Sequence, residues 1–314
     1  MHLHPVYAKV TRVILMGKKL QSSALLLLAT IIWGSAFVSQ SVAMDHMGPF
    51  TFQALRCFLG FSILIPVIAV FDHYKKDGRT FFQRWLDWKL WKAGLLCGIP
   101  LFLACNLQQV GLVETDAGKS GFLTAMYIVF VPVIGIFRKE KTTIMIPISV
   151  VLAAVGLYCL SCAGVSSIST GDLLTICCAV MFAVQIICID LFASSVDPLR
   201  LNAIQALVCT VLSSTVMAFT ETPTWSGILV CIPQLAHVGF LSMGIAYSLQ
   251  ILAQKNLAPS TASIIMSMES VFAVILGAWI LKETMTGWEI LGCVLVFAAI
   301  ILSQITIPSK AKRT

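Results

Sequence analysis

Charge is what this chain has least of. Lys, Arg, Asp and Glu make up 11% of its 314 residues, and only 14 residues are acidic. A soluble globular domain carries about 25% charged residues, so a water-soluble fold is excluded. No segment is polar enough to form a large soluble domain. Nucleotide-binding and hydrolytic signatures are also missing. AGKS at 117–120 looks like the end of a phosphate-binding loop, but Val113 stands where the G-x-x-x-x-G-K-[ST] pattern needs its first glycine. The setting is also helix and loop rather than strand, loop and helix, so ATP-driven work by this chain alone is not expected. There is no H-E-x-x-H and no G-x-S-x-G. His2 and His4 sit on a tail with no preorganised metal geometry, and no cofactor is expected.

The net charge of +7 is explained by basic loops on one side of a membrane rather than by a nucleic-acid surface. Eleven cysteines suggest a disulfide framework only by their number. Nearly all lie in apolar runs, where free Cys acts as a small hydrophobe.

Apolar residues form 58% of the chain. They gather into runs placed at 22–42, 50–71, 92–113, 117–137, 143–163, 172–193, 198–219, 233–254, 258–281 and 286–306. Each is near the roughly 20 residues that cross a bilayer as a helix. The predicted architecture is therefore an all-α polytopic membrane protein with ten transmembrane helices. The basic stretch at 72–92 places Trp85, Trp88 and Trp91 three apart, near one helical face, which predicts an amphipathic helix lying in the interface.

Basic residues set the orientation. With the N-terminus in the cytoplasm, inside segments hold eighteen Lys and Arg, and outside segments hold only Lys119 and Lys282. Arg56 falls within a span. The positive-inside rule selects this arrangement, with both termini cytoplasmic.

Internal repetition is the most informative global feature. Leu107–Gly135 overlays Leu249–Gly277 without a gap, matching Leu, Gln, Met, Val, Phe and the final Gly. Pro49 and Pro198 each open the second helix of their half. The chain divides into a tail (1–19), two five-helix halves (20–165 and 166–306) and a second tail (307–314). Five is odd, so the second half enters from the opposite side. Such inverted repeats place a binding site at the repeat interface near the bilayer midplane.

The run Ala258–Lys282 carries Glu269 near its middle among small residues such as Ser263, Ser267 and Ala273. A carboxylate at that depth costs on the order of 3 kcal/mol or more, and it normally faces a protein interior or an aqueous cavity. Arg56 lies roughly 9 Å below its helix end, some 6 Å in depth from Glu269. It suits an anionic solute group, or it neutralises Glu269. Trp33, Gln40, Gln53, Asn106, Gln109, Tyr127, Gln185, Gln205, Tyr247 and Gln250 also lie at membrane depth. A single glutamine reads as an interhelical hydrogen bond worth about 0.6 kcal/mol. Together they read as a cavity wall. Trp33 and Tyr127 fit an interface anchor or core filling equally well. His237 reads as a packed, hydrogen-bonded histidine, and Lys119 and Asp190 as solvated or snorkelled charges.

TIIWGSAFVSQ (Thr30–Gln40), the P-x6-R of Pro49–Arg56, AGKSGFLTAMYIVFVPV (Ala117–Val133) and ASIIMSMESVFAVILGAWILKE (Ala262–Glu283) together resemble a bacterial EamA-type member of the drug/metabolite transporter superfamily. The resemblance covers residues 20–306. It implies a ten-helix secondary carrier in the inner membrane, commonly an exporter of amino acids or other metabolites. Its partners would be a small-molecule substrate, the lipid bilayer, and protons or another coupling ion. Ser270 departs from the pattern, since the family often has Pro there. Its presence predicts a straighter helix. Two other readings need different features. A membrane enzyme acting on lipids needs a catalytic cluster at the interface, and none is found. A lipid-translocating or accessory subunit would not move solute alone in liposomes.

Overall fold

The computed structural model describes residues 5–75, 78–115, 117–138, 143–161, 169–281 and 286–304, with side chains from Met16 onward except at 160–161, 277–281, 289 and 304. Residues 162–168, where the two expected halves join, lie beyond these residues, as do Lys282 and the C-terminal tail. Among the described residues every regular element is helical: α1 (Pro5–Met44), α2 (Pro49–His73), α3 (Trp88–Gly111), α4 (Ala117–Ala125), α5 (Tyr127–Phe137), α6 (Met145–Ser161), α7 (Thr170–Phe192), α8 (Pro198–Thr220), α9 (Trp225–Val230), α10 (Ile232–Ala236), a π-helical segment (His237–Ala246), α11 (Tyr247–Gln254), α12 (Pro259–Met266), α13 (Met268–Leu281) and α14 (Gly287–Gln304). Helix is the form that pairs every backbone group internally, which hydrocarbon demands.

Among the described residues eight segments are long and apolar enough to cross a membrane, and α6 and α14 contribute two shorter apolar helices. Helix starts follow local chemistry. Proline opens both α2 and α8, behind Gly48 and Asp197 at the N-cap. That first position suits proline because its missing N–H would have had no partner there. The Asp197 carboxylate also accepts the Arg200 backbone N–H at 3.1 Å. Ser169 and Asp172 form a reciprocal capping box on α7.

The stretch before α3 corrects one expectation. The described residues of 72–92 do not form an interfacial helix. A single 3-10 turn spans Gln83–Trp85, and Asp87 caps α3 four residues earlier than the apolar run suggested, accepting from the Lys89 N–H. Trp91 turns inward and donates to the Trp85 carbonyl at 2.6 Å, while Trp88 stays exposed. Three-residue spacing implied a shared face, but the helix begins after Trp85, so the three rings are not carried on one element.

Helix packing is paired. α2 lies along α8, α6 along α14, α3 along α7 and α8, and α1 along α13 and the π-helical segment. Buried Ile128, Ala153, Leu157, Ile264 and Val296 tie α5, α6, α12 and α14 together. Lipid tails are as apolar as these side chains, so close packing rather than hydrophobic expulsion holds such helices together. Gly34 shows how close the approach is. A Cβ there would lie 2.6 Å from the Phe272 Cβ and 2.9 Å from the Glu269 carbonyl oxygen. This glycine lets α1 seat directly on the turn that carries Glu269. Large apolar side chains such as Leu28, Phe58, Ile99 and Val133 point outward, as a lipid-facing belt requires.

Two long apolar runs are interrupted in the middle. α4 and α5 meet at Met126, and α12 and α13 meet at Ser267. Continuous helices were expected at both places, and Ser270 in place of proline was expected to straighten the second. The interruption falls three residues before Ser270. Ser263 and Ser267 hydroxyls donate to the carbonyls three residues back, at 2.9 and 2.7 Å, a local competition that bends helices. Ser270 instead donates across to the Gly121 carbonyl at 2.7 Å.

Candidate functional site

The two interruptions place Tyr127 and Glu269 at the starts of half-helices, Tyr127 opening α5 and Glu269 in the first turn of α13. A helix start carries partial positive charge that favours a carboxylate by about 0.3–1 kcal/mol. The Tyr127 hydroxyl donates to Glu269 Oε1 at 2.9 Å, and both residues are buried. They are 142 positions apart, which is also the offset of the gapless overlay of Leu107–Gly135 on Leu249–Gly277. Cys105 and Tyr247, again 142 apart, meet with Sγ 3.6 Å from the hydroxyl. At these two places, residues 142 positions apart touch each other.

Around this pair is a cavity lined by Trp33, Phe37, Gln40, Arg56, Gln108, Thr124, Tyr127, Phe182, Gln185, Ile186, Ser242, Tyr247, Gln250, Met266 and Glu269. Eight expected residues thus converge: Glu269, Arg56, Trp33, Gln40, Tyr127, Gln185, Tyr247 and Gln250. Trp33 packs edge-on against Tyr247, with centroids 5.1 Å apart. The centres of water molecules can occupy about 40 Å³ of this space. That is room for about three waters at roughly 10–15 Å³ each.

Arg56 and Glu269 do not pair. The Arg56 guanidinium donates to Gln40 Oε1 and to Cys105 Sγ, the latter at 3.7 Å. Glu269 is held by Tyr127 instead, which corrects the expectation that Arg56 neutralises it. Three buried atoms on cavity-lining side chains have no hydrogen-bond partner: Trp33 Nε1, Arg56 Nε and Gln250 Oε1. Two are donors and one is an acceptor.

The other expected residues are buried beside the cavity rather than in its wall. Gln53 donates to Cys57 Sγ at 3.1 Å, and Asn106 to Ser213 Oγ at 2.9 Å. Gln109 donates to the Gln40 carbonyl at 3.3 Å. Gln205 donates to Asn202 Oδ1 and accepts from Gln185, which also accepts from Gln250. Gln53–Cys57 and Gln205–Asn202 lie within one helix, and the other bonds tie helices together. Gln108, Phe37, Thr124, Phe182, Ser242 and Met266 line the cavity without having been singled out. For Gln108 the signal was present, since the overlay matches it to Gln250.

Beyond the cavity, His237 is held between Ser35 and Ser39 at 3.1 and 2.9 Å. Lys119 and Asp190, expected as solvated charges, are in ion pairs: Lys119 with Asp172 at 2.5 Å, and Asp190 with Arg138 at 3.5 Å. Asp172 also accepts from Thr115, which fastens the α3–α4 corner to the start of α7. No cluster of three or more His, Cys, Asp or Glu able to hold a metal ion occurs among the described residues.

Comparison with known proteins agrees with this picture of a membrane helix bundle. The chain is 30% identical over 298 residues to an uncharacterized transporter of Archaeoglobus fulgidus, covering 92% of this chain and 88% of that protein. It is 23% identical over 288 residues to the uncharacterized transporter YoaV of Bacillus subtilis, covering 88% and 94%. A solved crystal structure superposes with a TM-score of 0.72 at 17% identity, over 90% of this chain and 96% of that one, which is a likeness of fold. The model of the EamA-like transporter family matches twice, at residues 2–162 and 169–304. The chain belongs to the EamA-like transporter family, and so to the drug/metabolite transporter superfamily.

Proposed function

We propose that this transporter is a secondary carrier that moves a zwitterionic amino acid or a close relative by alternating access, in the direction of export. The observation that carries this reading is the chemistry of the cavity. Trp33 Nε1 and Arg56 Nε are unpartnered donors suited to a carboxylate. Gln250 Oε1 and the Glu269 carboxylate are acceptors suited to an ammonium group. Phe37, Phe182, Trp33 and Tyr247 supply apolar wall for a side chain. Pockets of this kind use a few placed polar groups among aromatic residues.

The mechanism follows from two halves, 20–165 and 166–306, of five helices each and inverted in the membrane. Support comes from the two family-model matches and from the contacts between residues 142 apart. The pairing of α2 with α8 and of α6 with α14 supports it too. Counting α6 and α14 with the eight long spans gives ten. Glu269 is the coupling group, taking up a proton or the solute's cation as the halves exchange access. Arg56 grips the carboxylate. Both termini face the cytoplasm of a cell whose inner membrane holds the protein, as the basic loops indicate.

The test is counterflow in proteoliposomes that contain only this protein, loaded with each of a panel of amino acids. Saturable exchange is expected for at least one zwitterionic member. Flux restricted to cationic or to lipid substrates contradicts the reading.

A further inference from the structure

A second register runs through α2 and α8. Pro49 and Pro198 open the two helices, 149 positions apart. Advancing equally along both pairs Thr51 with Arg200, Gln53 with Asn202, Arg56 with Gln205 and Asp72 with Glu221. The helices lie against each other, and their ends meet crosswise. The Asp72 carboxylate at the end of α2 takes the guanidinium of Arg200 at the start of α8. The Glu221 carboxylate at the end of α8 takes the start of α2. It accepts from the Phe50 N–H at 2.9 Å, the Thr51 N–H at 2.8 Å and the Thr51 hydroxyl at 2.6 Å. The acid at the end of each helix, Asp72 in the last turn of α2 and Glu221 at the C-cap of α8, thus holds the residue two places beyond the other helix's opening proline.

Twenty-one residues separate Thr51 from Asp72, and twenty-one separate Arg200 from Glu221. At 1.5 Å per residue the two ties are roughly 30 Å apart, the thickness of the hydrocarbon core. They therefore lie at opposite faces of the bundle, with the cavity residues Arg56 and Tyr247 between them in the packing of α2, α8 and α11. The first tie is reinforced: Lys75 lies 3.6 Å from Asp72, and the rings of Phe81 and Trp85 lie 5.9 and 5.4 Å from the Arg200 guanidinium. The second is a carboxylate on a helix start. Gly48 makes room for it, since a Cβ there would fall 2.3 Å from the Glu221 carboxyl. Both ties are made in the conformation that leaves the cavity space for only a few waters.

We propose that Asp72–Arg200 and Glu221–Thr51 are the two latches of the transport cycle, each closing one face and each released when the cavity opens to that face. The proposal rests on the transport reading above. In the orientation set by the basic loops, Asp72–Arg200 is the cytoplasmic latch and Glu221–Thr51 the external one. The latches differ in chemistry, one an ion pair under aromatic cover and the other a helix cap, so they can be broken separately.

The experiment places a single reporter cysteine in the cavity by Ser242→Cys, in full-length protein whose native cysteines are replaced and whose flux is retained. A membrane-impermeant maleimide is applied to right-side-out and inside-out vesicles. Asp72→Asn should raise the labelling rate from the cytoplasmic face several-fold and lower it from outside. Glu221→Gln should do the reverse. Asp72→Arg combined with Arg200→Asp should restore the original ratio, and Gly48→Ala, which carries no charge change, should behave like Glu221→Gln. Equal changes from both faces, or none, would mean that the contacts are only structural ties. Where Asp72→Asn does not accumulate, the Gly48→Ala and Glu221→Gln pair decides the matter. Flux of the unsubstituted protein in proteoliposomes is measured in parallel: its absence sinks the transport reading, whereas symmetric labelling with flux intact sinks only the latches.

Discussion

The Tyr127 hydroxyl donates to Glu269 Oε1 at 2.9 Å between two residues that open half-helices at matching places in the chain. Glu269 makes no ion pair among the described residues, so this one donor holds a buried carboxyl group in register with α5. Tyr127→Phe keeps the ring and removes the donor. Leaving a buried polar group without its partner costs about 1–3 kcal/mol. The expected result is a lower melting temperature in detergent together with reduced flux. Unchanged stability would show that Glu269 is held by something other than Tyr127.

Gly34 bears on the same carboxyl group from the other side. Gly34→Ala puts a Cβ 2.6 Å from the Phe272 Cβ and 2.9 Å from the Glu269 carbonyl oxygen. Overpacking of this kind costs about 1–3 kcal/mol, and here it also shifts α13 and with it Glu269. Flux should fall along with stability. Gly17→Ala is the control, because a Cβ there meets nothing within 4 Å. It should leave melting unchanged or raise it slightly.

Arg56 reaches Gln40 and Cys105 with separate nitrogens while its Nε stays unpartnered. Arg56→Lys keeps the charge and loses the planar fork. A lysine has one nitrogen for the contacts that arginine divides among three. Transport of amino acids should drop at least tenfold in kcat/KM, about 1.4 kcal/mol, while the variant still inserts and melts near the original temperature. Normal transport by a well-expressed Arg56→Lys would exclude guanidinium recognition of the solute.

The face that carries Asp72 and Arg200 should weaken in acid. Burial pushes the Asp197 carboxyl up. The hydrogen bond from Lys75 at 2.7 Å, the Arg200 backbone N–H and the charges of both residues outweigh that and hold it below its ordinary value. A carboxyl group lowered in the folded state contributes stability above its unfolded pKa of about 3.9 and loses it as pH falls through the folded value. Melting temperature should therefore decline below about pH 4, and Asp197→Asn should flatten that part of the profile.

Much of this was legible from residues alone. Runs of apolar residues located the spans because a bilayer leaves few alternatives to helix, and the offset of 142 already aligned Tyr127 with Glu269 before any contact was visible. The same overlay matched Gln108 to Gln250, both of which line the cavity, although Gln109 was the residue singled out. Other features depend on tertiary partners that no local pattern encodes. Asn106 and Gln205 look like cavity residues by composition, but the Asn106 amide N–H donates to Ser213 and the Gln205 amide N–H to Asn202. Arg56 and Glu269 lie close in depth, yet Gln40 and Tyr127 reach them first. Lys119 sits at a span end where a free charge was expected, and Asp172 from another helix meets it there. The tryptophans at 85, 88 and 91 obey a helical spacing, but Asp87 starts the helix within that interval.

The claim at the centre of this account is that Glu269 carries the charge change of a transport cycle. Glu269→Gln preserves volume, and the Tyr127 hydroxyl can still donate to its amide oxygen, so the variant should fold and insert. The direct measurement is amino acid counterflow and pH-jump uptake in proteoliposomes, comparing the unsubstituted protein with Glu269→Gln across the same pH range. The account predicts saturable, pH-dependent flux in the first and flux that is lost, or no longer responds to pH, in the second. Equal rates with the same pH dependence in both would contradict it and leave Glu269 as a packing residue.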